Sequence, residues 1–299
     1  MLSDTPTDLA FRFLFEEADV RGEAVTLHHS LQDILDAQSY GQTVRQLLSE
    51  FAASVVLISN NLKYDGKITL QGRSDGPLSL ILAECSSDGQ LRGIARGDLA
   101  SSLEGLDELL PDGIITLTID PTDGKRYQGI VACQKPTLAE VLSDYFSQSE
   151  QLNTQFWLAT KQTAASALML QQLPASNQQA LMDDVEYVCD QTQHDDDWQT
   201  LCTLANTVTA SELLELDIDQ LLGRLFAEWA VSRFEPKPIE FHCSCSRERS
   251  LSALTLLPDN EITELFEEQE EVTMNCEMCG QSYIFALTDL KPEGNLTLH

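Results

Sequence analysis

Short runs of apolar and β-branched residues alternate with turn dipeptides through about the first 175 residues. Five runs of strand length predict β-strands, at Lys67–Gln71, Leu78–Cys85, Leu91–Arg96, Ile114–Asp120 and Tyr127–Cys133. Asp-Gly dipeptides favour two-residue turns with positive φ, and they occur at Asp65-Gly66, Asp75-Gly76, Asp88-Gly89, Asp112-Gly113 and Asp123-Gly124. The pattern predicts antiparallel hairpins.

Two stretches in the same region have apolar residues at three- and four-residue spacing, which predicts helices over Gly41–Ala53 and Thr137–Phe146. Thr137 is a candidate N-cap, because Glu140 follows it at the spacing of a capping box. Strands in hairpins together with separate helices predict an α+β fold for residues 1–175.

The chain changes character over residues 174–234, named here the acidic segment. Apolar residues recur at helical spacing, at Leu181, Val185, Val188, Leu201, Leu204, Val208, Leu213 and Leu214. The acidic segment contains twelve acidic and two basic residues, a formal charge of −10, and its polar run Thr192–Asp197 predicts an interruption. Self-repulsion of this size predicts helices of low local stability. We therefore predict a metastable helical linker over residues 176–234.

Pro236 and Pro238 then predict a boundary, because each proline biases the preceding residue away from helix. Residues 235–299 are predicted to form a third, small domain. The whole chain of 299 residues has a formal charge of −30, and residues 162–223 contain no Lys or Arg. Such a charge opposes binding to nucleic acid or to anionic lipid. No apolar run reaches membrane-spanning length, and Met1–Pro6 does not resemble a signal peptide, so we expect a cytoplasmic protein.

Four of the eight cysteines form two close pairs, a C-x-C at Cys243 and Cys245 and a C-x-x-C at Cys276 and Cys279, with 30 residues between them. Such pairs predict one zinc ion held by four thiolates, with an iron–sulfur cluster as the alternative metal centre. Gly280 follows the second pair and predicts a tight turn that points backbone amides at sulfur. A thioredoxin-like reading of the C-x-x-C is disfavoured, since that motif starts a helix in a βαβ unit.

Three further residues lie near the C-x-C pair and could affect its cysteines. Arg247 and Arg249 could favour the thiolate form through their positive charge, or they could be surface arginines that pair with Glu248 or with the acidic run Glu267–Glu271. His242 is interpreted as a neighbour, because four cysteines already complete a tetrahedral site. The other cysteines lie in apolar runs and are interpreted as core residues without a function: Cys85, Cys133, Cys189 and Cys202.

The cysteine motifs resemble those of the thirty-three-kilodalton chaperonin family, the redox-regulated heat-shock holdases of bacteria. Cys243-Ser-Cys-Ser-Arg-Glu-Arg249 and Cys276-Glu-Met-Cys279 match the zinc motif of that family. The likeness extends along the chain, through Arg12–Glu16, Val20–Glu23, Gly76–Leu78, Leu91–Gly93, Thr118–Asp120, Tyr127–Val131 and Tyr145–Leu152.

The resemblance implies an ATP-independent holdase that binds unfolding client proteins. It implies that the reduced, zinc-bound state is inactive, and that oxidant together with unfolding activates it through disulfides Cys243–Cys245 and Cys276–Cys279. It also implies that the active form is a dimer. Loss of zinc would then unfold the small domain and expose apolar helix faces of the acidic segment to clients.

Two other functions compete with this one. A zinc-ribbon adaptor would bind one protein partner without redox control, and a metal-dependent enzyme is the third hypothesis. Four thiolates leave zinc no open position for water, and the chain has neither H-E-x-x-H nor G-x-S-x-G, which disfavours an enzyme. The absence of G-x-x-x-x-G-K-[ST] disfavours ATP as a cofactor.

Overall fold

The predicted hairpins form one sheet in a computed structural model that describes residues 8–61, 64–174, 191–268 and 270–290. This sheet, sheet B, has the strand order β12-β5-β4-β3-β6-β7, antiparallel except for β12 beside β5. Its strands are β3 (Gly66–Arg73), β4 (Leu78–Ser86), β5 (Gln90–Gly97), β6 (Ile114–Pro121), β7 (Tyr127–Ala132) and β12 (Glu240–Phe241). All five predicted strands are confirmed. The predicted positive φ occurs at Gly66, Gly89 and Gly124 (145°, 84° and 133°) and at Asp112 (51°), but at neither residue of Asp75-Gly76. The loops β3–β4, β4–β5 and β6–β7 contain four, three and five residues, so the predicted length of two is wrong.

A second sheet, sheet A, was not predicted. Its strands are β1 (Leu9–Phe15), β2 (Val20–Leu27), β8 (Thr154–Lys161), β9 (Ala164–Gln172), β10 (Val231–Arg233) and β11 (Lys237–Pro238). The order is β10-β1-β2-β9-β8, and β11 also pairs with β1. In β9 every residue after Ala164 is buried, so its sequence lacks the apolar and polar alternation that identifies a strand with one wet face.

One long helix lies between the two sheets. The helices of this region are α1 (His29–Asp36), α2 (Gln42–Asn61), α3 (Leu106–Leu109) and α4 (Leu138–Ser149). Fourteen residues of α2 are buried, and they contact strands of both sheets. Burial around the whole helix surface marks α2 as a core helix. The predicted cap of α4 is confirmed, because the Thr137 side chain accepts a hydrogen bond from the Glu140 amide.

Three helices of the acidic segment cover the other face of sheet A. They are α5 (Gln191–Ala205), α6 (Ala210–Glu215) and α7 (Ile218–Leu225). Residues 175–190, with Leu181, Val185, Val188 and Cys189, lie outside the described residues. The predicted interruption at Thr192–Asp197 is wrong, since α5 runs through it. A backbone in a helix satisfies its hydrogen bonds whatever the charge of its side chains.

The helices and sheet A share one apolar cluster. Its buried members from sheet A include Phe13, Phe15, Leu168 and Leu170, and those from the helices and the residue after α7 are Leu201, Ala205, Leu213, Leu221, Leu222, Leu225 and Phe226. Phe226 meets Phe15 edge-to-face, with ring centroids 5.0 Å apart. The two basic residues of the acidic segment form ion pairs within it, Arg224 with Glu212 and Arg233 with Asp219. Apolar packing rather than charge therefore holds this segment on the sheet.

A carboxyl group is buried between sheet A and the end of α2. Glu23, on β2, is 1% exposed and accepts a hydrogen bond from the Asn60 side chain, and its Oε1 has no partner among the described residues. Burial raises the pKa of Glu23 from 4.5 to about 8, although Asn60 and the nearby cations Arg12, Arg21 and Lys237 oppose the shift.

This raised pKa makes stability depend on pH. The folded chain keeps the Glu23 proton while the unfolded chain loses it above pH 4.5, so this stabilising contribution decreases between pH 4.5 and about 8. Glu23→Gln places an uncharged side chain at this position at every pH. We therefore expect the variant to be more stable than the wild type at pH 8 by about a few kcal/mol, the free energy that corresponds to a pKa shift of this size. Chemical unfolding from pH 5 to 9 measures this, with the exposed Glu17→Gln as control. Parallel curves for all three proteins would contradict the assignment.

The contacts divide the chain into two units, Met1–Phe241 and His242–His299. The division into 1–175, 176–234 and 235–299 stays a prediction. The second unit contains α8 (Arg247–Leu254), α9 (Asp259–Glu268), β13 (Glu271–Asn275), β14 (Ser282–Ala286) and α10 (Leu287–Leu290). Among its described residues the buried apolar side chains are Leu254 and Phe285. A core this small gives little stability by itself.

Candidate metal centre

The C-x-C pair lies just before α8. Ser246 caps this helix, since its side chain accepts a hydrogen bond from the Arg249 amide. The cap directly follows Cys245, so the helix starts two residues after that cysteine. Arg249 also donates to the Ser244 carbonyl at 2.6 Å, between the two cysteines. The helix and this contact together fix the loop that presents Cys243 and Cys245.

The C-x-x-C pair occupies the loop of an antiparallel hairpin, β13 with β14. Two backbone hydrogen bonds close the loop, from the Cys276 amide to the Gln281 carbonyl at 2.8 Å and from the Gly280 amide to the Cys276 carbonyl at 2.7 Å. Gly280 has a φ of 71°, a left-handed conformation that side chains with a Cβ rarely adopt. The tight turn predicted at Gly280 is confirmed.

The two motifs bring four sulfurs together. Cys243 Sγ lies 3.7 Å from Cys276 Sγ, and Cys245 Sγ lies 3.4 Å from Cys279 Sγ. All four sulfurs lie within 4.8 Å of one another and form a group that could hold a metal ion. Four sulfurs at about 2.3 Å from a tetrahedral zinc would be about 3.8 Å apart, whereas a disulfide requires about 2.05 Å. The donor set and its spacing fit a tetrahedral metal ion. His242 is not a member of the group.

The thiols differ in how readily they ionise. Burial raises the pKa of Cys243, and it raises the pKa of Cys279 to about 12. Burial also opposes ionisation of Cys245, but hydrogen bonds from Tyr283 and from the neighbouring thiols outweigh it, and the net pKa is lowered. Four thiolates in one cluster repel each other, and a bound cation would stabilise them all.

The two arginines after the C-x-C pair have different partners. Arg247 donates to Asp289 Oδ2 at 2.8 Å, and its guanidinium lies 4.8 Å from the centre of the Phe285 ring. Arg249 donates to the Ser244 carbonyl in the loop of the C-x-C pair. Arg247 therefore joins α8 to α10 through an ion pair and to the hairpin through a cation–π contact. An effect of Arg247 and Arg249 on the thiolates stays a prediction.

Sequence reasoning missed one residue of the site, Tyr283. Its Oη lies 3.1 Å from Cys245 Sγ, and that hydrogen bond raises the pKa of the tyrosine to about 12. Tyr283 follows Cys279 by four residues and lies on β14, where Phe285, two positions on, is buried. The alternation of β14 could have placed Tyr283 on the inner side of the hairpin.

Of the four cysteines interpreted as core residues, Cys189 lies outside the described residues, and the other three lie apart from the cluster. Cys85 and Cys133 are buried, and burial raises the pKa of each to about 11. Cys202 is half-buried, and desolvation raises its pKa to about 12. Protonated thiols of this kind are poor nucleophiles and poor metal ligands.

Comparison with known proteins identifies relatives of the whole chain. A family model described as Hsp33 protein matches residues 8–286. A 33 kDa chaperonin of Pseudomonas aeruginosa strain UCBPP-PA14 is 46% identical over 287 residues, which cover 95% of this chain and 93% of that protein. A 33 kDa chaperonin of Azotobacter vinelandii is 45% identical over 286 residues, covering 95% of this chain and 93% of that protein.

A solved structure has the same fold. The crystal structure of a 33 kDa chaperonin (heat shock protein 33 homolog) from Thermotoga maritima matches with a TM-score of 0.77 at 19% identity, covering 95% of this chain and 96% of that one. This likeness supports the α+β architecture. Among the described residues, no helix has the length and the apolar character needed to cross a membrane.

Proposed function

The chain belongs to the Hsp33 family, which supports a chaperone role, and from this premise we propose that it is a redox-regulated, ATP-independent holdase. It binds unfolding proteins and prevents their aggregation during oxidative and heat stress. The reduced, metal-bound chain is inactive. The observation that carries the proposal is the cluster of four sulfurs in a unit whose described residues include only two buried apolar side chains, Leu254 and Phe285.

One Zn²⁺ per chain is the metal that the site suits best. Cys243, Cys245, Cys276 and Cys279 would hold it as thiolates, and a four-sulfur tetrahedral set favours zinc or iron among the metals of proteins. When bound, zinc neutralises the thiolate charge and supplies folding free energy to the unit. A saturated site leaves no position for water, and for this reason we propose that the protein is not an enzyme.

Oxidation and metal binding are mutually exclusive at these sulfurs. From the family we infer that the oxidised state contains the disulfides Cys243–Cys245 and Cys276–Cys279. The sulfur–sulfur distances of 3.4 and 3.7 Å instead each join a cysteine of the C-x-C pair to a cysteine of the C-x-x-C pair, which is the arrangement that a shared metal requires. Formation of either disulfide brings two sulfurs to about 2.05 Å and removes both from the ligand set. The second unit then loses the interaction that stabilises it.

The acidic segment provides a surface for clients. Its helices and sheet A bury a shared apolar cluster that includes Phe13, Phe15 and Leu222. Separation of the helices from the sheet would expose both sides of that cluster. Its charge of −10 would keep a complex with an aggregation-prone client dispersed. Further parts of the proposal are a cytoplasmic location, a homodimer as the active form, and no binding to nucleic acid, membrane or ATP.

A peroxide titration at raised temperature tests the proposal. Zinc release and suppression of client aggregation are measured in the same samples, with a dye that binds zinc and by light scattering. We expect the reduced protein to be nearly inert and the oxidised, zinc-free protein to suppress aggregation at a near-stoichiometric ratio. ATP should have no effect.

The competing adaptor function predicts the opposite dependence. Leu256 and Ile284 on the second unit are 85% and 53% exposed, a surface that an intact zinc fold could present to one partner. If reduced protein suppresses aggregation equally well, redox control is absent. If oxidised protein is inert while reduced protein binds one discrete partner, the adaptor function is the better account.

A further inference from the structure

A side-chain hydroxyl contacts the sulfur cluster from the hairpin. Tyr283 Oη lies 3.1 Å from Cys245 Sγ, and the tyrosine stands opposite Met274 at the second residue pair from the cysteine loop. A metal-bound cysteine carries no proton, so in that state the tyrosine hydroxyl must be the donor. The contact is therefore an O–H···S hydrogen bond to a ligand thiolate.

Cys245 differs from two of the other ligands in the source of its hydrogen bond. For Cys243 and Cys279, interaction with a backbone amide, that of Cys245 and that of Gln281, favours the thiolate and opposes the rise in pKa. Those donors are fixed by the loops that carry the ligands. The donor to Cys245 is the side chain of Tyr283 on β14, which lies outside both cysteine loops. Its hydroxyl can be removed without altering the backbone of either loop.

We propose that Tyr283 is a positioning residue of the redox switch, whose hydroxyl holds the Cys245 sulfur in ligand geometry and lowers its reactivity toward hydrogen peroxide. The inference rests on the proposed function. It goes beyond that function by assigning part of the oxidation threshold to a residue that is neither a ligand nor an oxidised group. Outer contacts of this kind commonly tune metal sites.

The effect follows from the chemistry of oxidation. A thiolate attacks one oxygen of hydrogen peroxide, so an S–O bond forms, the O–O bond breaks, hydroxide leaves, and the sulfur is oxidised to a sulfenic acid. A second thiolate then attacks that sulfur, forming the S–S bond and releasing a second hydroxide. The first step requires electron density on sulfur. A hydrogen bond into that sulfur withdraws electron density and slows the attack.

Tyr283→Phe removes the hydroxyl and keeps the ring. In full-length, metal-loaded protein we expect zinc release at a fixed peroxide concentration to be about 3- to 10-fold faster than in wild type, the range for loss of one hydrogen bond. Mass mapping of alkylated thiols should show Cys245 among the first cysteines oxidised. In the cobalt-substituted protein the sulfur-to-cobalt charge-transfer band should shift, a change that a purely structural role would not produce.

Two further proteins make the test decisive. Ser282→Ala is the matched control, because Ser282 donates to Asn275 across the same hairpin at 2.7 Å without touching sulfur. It should match wild type in rate and spectrum. A fluorotyrosine placed at position 283 is a stronger donor of nearly the same shape, and we expect it to slow zinc release below the wild-type rate.

The outcomes separate this inference from the function on which it rests. A wild-type chain that binds neither zinc nor cobalt would overturn both. Metal-loaded Tyr283→Phe with the wild-type rate and spectrum would overturn the role of Tyr283 alone. If that variant holds no metal, the fluorotyrosine protein decides: slower release supports the proposal, and an unchanged rate overturns it.

Discussion

Replacing Cys279 with serine is expected to abolish tight metal binding and to unfold the second unit, while the first unit keeps its fold. Cys279 Sγ lies 3.4 Å from Cys245 Sγ within the four-sulfur group, and a serine hydroxyl does not replace a thiolate as a ligand. Leu254 and Phe285 are the buried apolar side chains among the described residues of this unit. Structural zinc contributes about 10–16 kcal/mol to comparable small modules, far more than two such side chains provide.

Elemental analysis and hydrogen exchange measure this result. Wild-type protein prepared under reducing conditions should contain one zinc per chain, and the variant should contain almost none. Exchange should become fast in β13 and β14 and stay slow in α2, which is buried between two sheets. The control is Cys202→Ser, which alters a half-buried thiol outside the cluster. One tightly bound zinc per chain in Cys279→Ser would refute Cys279 as a required ligand, and iron in the wild type would refute the zinc assignment.

Sequence patterns predicted sheet B and not sheet A, and the environments of the two sheets explain why. In β4 buried residues alternate with partly exposed ones, which is the pattern of a strand with one solvated face. Sheet A has α2 on one face and the helices of the acidic segment on the other, so β2 and β9 are buried almost throughout. The apolar run of β9 does not distinguish a doubly covered strand from a buried helix, and Arg21, Gly22 and Glu23 interrupt the apolar pattern of β2.

At the candidate metal centre the cluster of four cysteines was predictable, and the contacts around it were not. The spacing of four cysteines is a local signal, and Gly280 could be assigned a left-handed turn because few other residues adopt one. The partners of Arg247 and the contact of Tyr283 with Cys245 depend on how the hairpin packs against α8. Such contacts are set by tertiary structure, which spacing along the chain does not contain.

In the acidic segment, charge repulsion opposes apolar packing. Its charge of −10 disfavours close packing, while its apolar residues have a preformed partner in sheet A. The segment therefore stays folded only as long as the apolar contact exceeds the repulsion. A mutation that weakens this contact should shift the balance without any change at the sulfurs.

Phe226→Ala is expected to activate the chaperone partly while the chain is still reduced and metal-bound. Phe226 is 1% exposed and packs edge-to-face on Phe15, and truncation of a buried phenylalanine costs about 3–5 kcal/mol. Hydrogen exchange should rise over α5–α7, and light scattering should show suppression of client aggregation without peroxide. Phe146→Ala is the control, because Phe146 is buried at 5% exposure in the separate core around α2. If both variants lose stability equally and neither holds clients while reduced, the surface between sheet A and the acidic segment is not the one that clients use.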